Sequence, residues 1–140
     1  MDEDECWAFL AEMPARPAVL STVRPDGRPH GAPIWYELDG RSLVFNTGVA
    51  TVKGRNIARD ARVALCVDDD RPPFSFVLVD GRAELSDDLG DVRRWAARIG
   101  GRYMGPDRAE EYGERNGVPG ELLVRVVPSR LIGSRDLALP

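Results

Sequence analysis

The sequence predicts a mainly β fold with helices, a six-stranded antiparallel barrel forming one domain over residues 1–140. Three observations predict it. Short runs rich in β-branched and aromatic residues are separated by Asp-Gly turns, and helical stretches fall between those runs. A chain of 140 residues with 43% hydrophobic content encloses one sizeable core and hardly two. Closure into a barrel is the physical expectation, because an open sheet exposes unpaired edges.

Asp2 to Met13 puts acidic residues in a first turn and Cys6, Phe9, Leu10 and Met13 at helical spacing, a short amphipathic helix ended by Pro14. Ala18 to Arg24 is β-rich and enters Pro-Asp-Gly-Arg-Pro, where Pro25 presets φ and Asp26-Gly27 bends the chain. The return strand is expected over about Ile34 to Leu38. A second Asp-Gly turn at Asp39-Gly40 leads to a third strand, Arg41 to Thr47. A helix over Thr51 to Arg59 precedes the strand Arg62 to Asp68, an Asp-Arg-Pro-Pro turn and a long strand, Phe74 to Leu85. The near-continuous apolar run of that strand predicts cover on both faces, by the core on one and by a helix or second subunit on the other. Ser86, Asp87 and Asp88 start a helix whose Val92, Trp95, Ala96 and Ile99 repeat at helical spacing up to a stop at Gly100-Gly101. Pro106 to Arg115 reads as a more polar helix ended by Asn116-Gly117, and Glu121 to Val127 is the last strand.

No apolar run is long enough to span a bilayer, and the N-terminus begins acidic where a secretory signal begins basic, so a soluble, cytoplasmic protein is expected. Cys6 and Cys66 stand far apart without neighbours at metal-ligand spacing and read as reduced structural thiols; no metal site is expected. A net charge of −4 with Arg and Asp interleaved argues against nucleic acid or an anionic membrane as partner. An anionic ligand has to be held by a local basic patch.

That patch is found between Phe45 and Ile57, Phe-Asn-Thr-Gly-Val-Ala-Thr-Val-Lys-Gly-Arg-Asn-Ile, where a strand runs into a Thr-initiated turn that opens a helix. The first N–H groups of a helix lack internal partners and carry partial positive charge, so a phosphate satisfies them. Lys53 adds a point charge and Arg55 a planar fork able to engage two oxygens. Arg55 and Arg59 lie four apart on one helical face, and Arg24 and Arg28 flank the first hairpin; these three outlying arginines, 24, 28 and 59, read as surface charges. No Ser-His-Asp set or close carboxylate pair is visible.

These residues resemble the split-barrel flavin and deazaflavin oxidoreductases related to pyridoxamine 5′-phosphate oxidase, over almost the whole chain. The family pattern F-x-T-x-x-x-S-x-K-G is met by Phe45, Thr47, Thr51, Lys53 and Gly54. The resemblance implies a split β-barrel in which the hydroxyl of Thr51 and the amine of Lys53 help bind the cofactor phosphate, with Thr47 beside them. Val52 stands where flavin members carry Arg, Arg55-Asn56 appears one turn later, and the C-terminal segment lacks the Arg/His-rich ending of the vitamin B6 oxidases. Lys-x-Arg-Asn, followed by RPPFSFV, RYMG and AEEYGERNGVPGELLVRV, resembles instead the branch that uses coenzyme F420. That resemblance implies Arg55 and Asn56 as further cofactor contacts and a homodimer with its cofactor cleft at the subunit interface; Pro33, Ile34 and Trp35 are candidate walls for the ring, with core packing as the rival role for Ile34 and Trp35. Trp95, Tyr103 and Met104 are placed to lie over the site from the partner, though the helical stripe favours burial for Trp95. The expected activity is hydride transfer from F420H2 to an unsaturated, conjugated or planar small molecule, with Tyr36, His30 or water supplying the proton; His30 is otherwise expected to face solvent. FMN as cofactor, a non-catalytic F420 or tetrapyrrole carrier, and a barrel that binds nothing are the alternatives.

Overall fold

A computed structural model describes residues 1–139. Its elements are α1 (Glu3–Leu10), β1 (Ala18–Val23), β2 (Pro29–Ile34), β3 (Glu37–Asp39), β4 (Ser42–Gly48), α2 (Val52–Arg59), β5 (Arg62–Asp69), β6 (Ser75–Ser86), α3 (Leu89–Met104), a 3₁₀ turn at Pro106–Arg108, α4 (Ala109–Asn116) and β7 (Glu121–Ser134). The strands form one antiparallel sheet in the order β2-β1-β5-β6-β7-β4-β3. Seven strands replace the six expected, and the sheet keeps two ends instead of closing its hydrogen bonds into a ring.

The strand count differs because the expected return strand is two strands. Arg24 N–H donates to the Arg28 carbonyl at 2.9 Å, so the Asp26-Gly27 turn is tight and pairing resumes at once, Pro29 opposite Val23 through Ile34 opposite Ala18. Pro29 and Pro33 are tolerated there because β2 is an edge strand, where a missing N–H leaves no ladder bond unmade. The chain breaks at Trp35-Tyr36 before β3 pairs with β4. β7 runs past Pro128 by carrying one extra residue, Ser129, between Pro128 opposite Gly81 and Arg130 opposite Asp80. α3 likewise passes through Gly100-Gly101 and ends at Gly105, whose φ is +109°. The pair that reads as a helix stop is a packing notch. A Cβ on Gly100 would lie 2.2 Å from the Tyr112 Cβ, and one on Gly101 3.1 Å from that of Ala109, so α4 lies directly on α3.

The main core fills the concave side of the sheet, with Phe9 and Leu10 of α1, Leu20, Phe45, Leu65, Val77 and Val124 among its members. Trp95 packs with Val44, Val92 and Leu123 in a second cluster, as its helical stripe implies. The outer face is apolar too. Val19, Cys66, Leu78 and Ile132 form one row across β1, β5, β6 and β7, and Val19 (48%), Leu78 (39%) and Ile132 (38%) are exposed in the single chain. The expected second cover of β6 is therefore not supplied by a helix of this chain.

Arg102 ties α3 to this core. It is buried, donates to the carbonyls of Tyr36 (3.1 Å) and Leu10 (2.9 Å), and stands 3.3 Å from a Glu37 carboxylate oxygen. Its guanidinium covers the Tyr36 ring at 4.7 Å. Tyr36 itself is 1% exposed and donates its hydroxyl to the Leu10 carbonyl at 2.7 Å. Burial pushes this phenol up to about 12, against the partial opposition of Arg102. The folded chain thus keeps a proton that the unfolded chain releases near pH 10, so the stabilisation is full below about pH 10 and is lost as pH rises through about 12. Tyr36→Phe should remove about 2 kcal/mol of the alkaline decline in unfolding free energy, measured with urea at about pH 9 and about pH 11.5. Equal declines in the two proteins would contradict the assignment.

Candidate functional site

The turn between β4 and α2 is held by two hydroxyls and two glycines. Thr51 caps α2: its hydroxyl accepts from the Gly54 N–H at 3.0 Å and donates to the Gly48 carbonyl at 2.8 Å. Its one proton being committed, the Thr47 hydroxyl 3.0 Å away is the donor between the two threonines. Gly54 admits no side chain, since a Cβ would fall 2.3 Å from the Gly48 carbonyl oxygen. Thr47 and Thr51 therefore build the turn, and the donors left for a ligand are the N–H groups of Val52 and Lys53, which have no partner among the described residues. They sit at the positive end of the helix.

Lys53 and Arg55 leave α2 on opposite flanks, because two residues turn a helix by about 200°. Lys53, the chain's one lysine, lines a cleft of about 360 Å³ with Pro33, Ile34, Trp35, Asn46, Tyr112 and Asn116. Arg55 lines a second cleft of about 380 Å³ with Arg24, Arg28 and Arg59. The single cationic mouth expected from the sequence is thus two clefts sharing a helix. Neither Lys53 nor Arg55 is within ion-pair distance of a carboxylate among the described residues, whereas Arg28 pairs with Asp26 at 2.7 Å and Arg59 donates to the Val23 carbonyl. Asn56 borders the second cleft but is 2% exposed, with its amide engaged at both ends: it donates to Thr22 Oγ1 at 3.0 Å and accepts from Arg59 at 3.1 Å. Its polar groups brace α2 against β1.

Trp35 forms the far wall of the Lys53 cleft, 38% exposed. Its ring stacks on Tyr103 with centroids 4.9 Å apart and planes 4° from parallel, and meets Tyr112 at 5.9 Å. Tyr103 is pinned in turn, donating to the Arg16 carbonyl at 2.7 Å and accepting from the Tyr36 N–H at 3.2 Å. It supports Trp35 within its own chain. Tyr36 is removed as a proton donor by the core position of its hydroxyl. His30 lies on β2 opposite Thr22, half-buried, with its Nδ1 shielded from solvent and unpartnered, and it lines neither cleft.

Four residues beside the cradle were missed. Asn46 lies between Phe45 and Thr47 of the motif itself, and strand alternation could have flagged it. Tyr112 and Asn116 reach the cleft only because Gly100 lets α4 down onto α3. Glu121, opposite Gly48 at the start of β7, carries a carboxyl that burial pushes above the usual range and the Lys53 charge partly pulls back. Among the described residues no cluster of three or more metal-ligating side chains occurs, and no helix is long and apolar enough to cross a membrane.

Residues 3–132 match the pyridoxamine 5′-phosphate oxidase family, and the chain belongs to it. It is 28% identical over 135 residues to an F420H(2)-dependent biliverdin reductase of Mycobacterium tuberculosis (strain CDC 1551 / Oshkosh), covering 96% of this chain and 89% of that one. Among solved structures it resembles the conserved hypothetical protein Rv2991 of Mycobacterium tuberculosis, with a TM-score of 0.84 and 27% identity over 100% of this chain and 89% of the other. A structure named F420 Reductase gives a TM-score of 0.70 and 27% identity over 89% and 94%.

Because the cradle depends on the contact between Gly54 and the Gly48 carbonyl, Gly54→Ala should lower stability by about 2 to 4 kcal/mol in urea unfolding and abolish anion binding at the turn. Unchanged stability would mean that the turn tolerates a side chain there.

Proposed function

We propose that the protein is an F420H2-dependent reductase of an unsaturated, conjugated or planar small molecule, acting as a homodimer. One observation carries the reading: the unpaired Lys53 lines a slot walled by Trp35, Pro33 and Ile34, beside the free N–H groups of Val52 and Lys53 at the start of α2. These groups suit a ligand that joins a phosphate to a flat ring. Two relatives named for F420 support that ligand over FMN, as does the second basic cleft around Arg55, since F420 adds a chain of glutamates to its phosphodiester.

When bound, reduced F420 supplies a hydride to an electron-poor carbon of the acceptor. The chain's own residues hold and orient. Lys53 and the two amides would hold the phosphate, Trp35 backed by Tyr103 would fix the plane of the slot, and Arg55 would supply charge for the acidic tail. With Tyr36 committed to the core, Tyr112 is the tyrosine facing the cleft and takes over as candidate for delivering the proton. The exposed row Val19, Leu78 and Ile132 is the surface assigned to the second subunit.

Lys53→Ala and Arg55→Ala should each weaken F420 by about 1 to 2 kcal/mol, and together by about 2 to 4 kcal/mol, in fluorescence titrations, with melting temperatures nearly unchanged. Unaltered affinity, or an equal loss of stability, would contradict the reading; retention of FMN with no F420 affinity would move the same site to flavin chemistry. Leu78→Arg should convert the dimer to monomers in analytical ultracentrifugation, and a wild-type chain that sediments as a monomer would remove the dimer from the proposal.

A further inference from the structure

Beside the turn that opens α2 stands a carboxylate that the turn's own hydrogen bonds do not use. Gly120 accepts the Val49 N–H at 2.8 Å, so the loop before β7 is stitched to the turn before α2, and Glu121 pairs with Gly48 at the next step of the ladder. Its Oε1 lies 3.7 Å from where a Cβ on Gly48 would be. Among the described residues its carboxylate forms no side-chain hydrogen bond and no ion pair, so it is not there to hold the turn. The carboxyl is half-buried, which pushes its pKa above the usual range, and the Lys53 charge partly pulls it back.

A fixed negative charge at an anion site weakens every anion, so it contributes nothing to affinity as such. It discriminates, because Coulomb repulsion grows with the charge of the ligand. A phosphodiester carries one negative charge, whereas a phosphomonoester carries about 1.5 to 2 at neutral pH. On top of the cofactor reading above, we infer that Glu121 is a specificity-determining residue that turns the cradle against phosphomonoesters such as FMN and leaves it open to a phosphodiester. Beside this carboxylate the Lys53 charge is already offset, so the two amides at the helix end hold a monoanion at less electrostatic cost than a dianion. Flavin members of the family, by the motif, place Arg where Val52 stands here, and the loss of that cation acts in the same direction as the gain of Glu121.

The test is a set of equilibrium titrations of F420, FMN and riboflavin into wild type, Glu121→Gln and Glu121→Ala, followed by cofactor fluorescence at fixed ionic strength. Because repulsion scales with ligand charge, the gain for FMN should be about the square of the gain for F420, about tenfold against about threefold, with riboflavin unchanged. Melting curves confirm that each variant folds, and agreement between Gln and Ala excludes a new hydrogen bond from the amide. Equal gains for F420 and FMN, or no gain for either, would overturn the inference while leaving the cofactor reading intact. Wild type that binds neither F420 nor FMN would overturn both.

Discussion

The contact on which the site depends is the approach of Gly54 to the Gly48 carbonyl, clasped by the Thr51 hydroxyl. It turns the chain from β4 into α2 within three residues, and in doing so it spends the Thr51 hydrogen-bonding capacity on the turn. What remains unspent is the pair of amides at the start of α2 and the lysine next to them. The threonines therefore act on a ligand through the backbone they shape, and a glycine two residues before Asn56 matters more to the cradle than Asn56 does.

The rest of the fold serves to keep that helix end facing a rigid slot. β7 binds β4 along its inner edge and brings Gly120 and Glu121 against the turn. Arg102 joins α3 to α1 and to the strand break at Tyr36, and truncating such a buried, multiply bonded cation typically costs about 3 to 5 kcal/mol because its partners are left unpaired. Through Tyr103 the same bracing reaches Trp35, so the far wall of the cleft is fixed by side chains whose hydrogen bonds lie in the core. Charge is distributed with equal economy. Many arginines are consumed in ion pairs near their own turns, as Arg62 is with Asp60 and Arg71 with Asp69, while Lys53 and Arg55 are left to the clefts.

Much of the strand and helix pattern was legible in the sequence, because Asp-Gly turns, β-branched runs and the Thr-initiated helix are local signals. The errors share a cause: residues that punctuate a chain locally were used to solve a packing problem. Pro29 and Pro33 suggested loop, yet an edge strand has no need of their N–H groups. Gly100-Gly101 suggested a helix stop, yet it makes room for Tyr112 and Ala109. The last strand was expected to end at Val127, yet it continues through Pro128 with Ser129 bulged out of β7. At the site, the motif located Lys53 and Thr51 but not which flank each cation faces. Periodicity could not bring Tyr112, Asn116 or Glu121 there, since their approach depends on α4 docking and on strand pairing across more than seventy residues of chain.

The central claim, that the start of α2 grips the phosphate of an anionic redox cofactor, is tested most directly by amide NMR of the ¹⁵N-labelled protein titrated with F420. The account predicts that the Val52 and Lys53 N–H resonances move furthest downfield as they acquire an acceptor, while that of Gly54, already bonded to Thr51, moves little. Saturable binding that leaves the Val52 and Lys53 amides unmoved would contradict it.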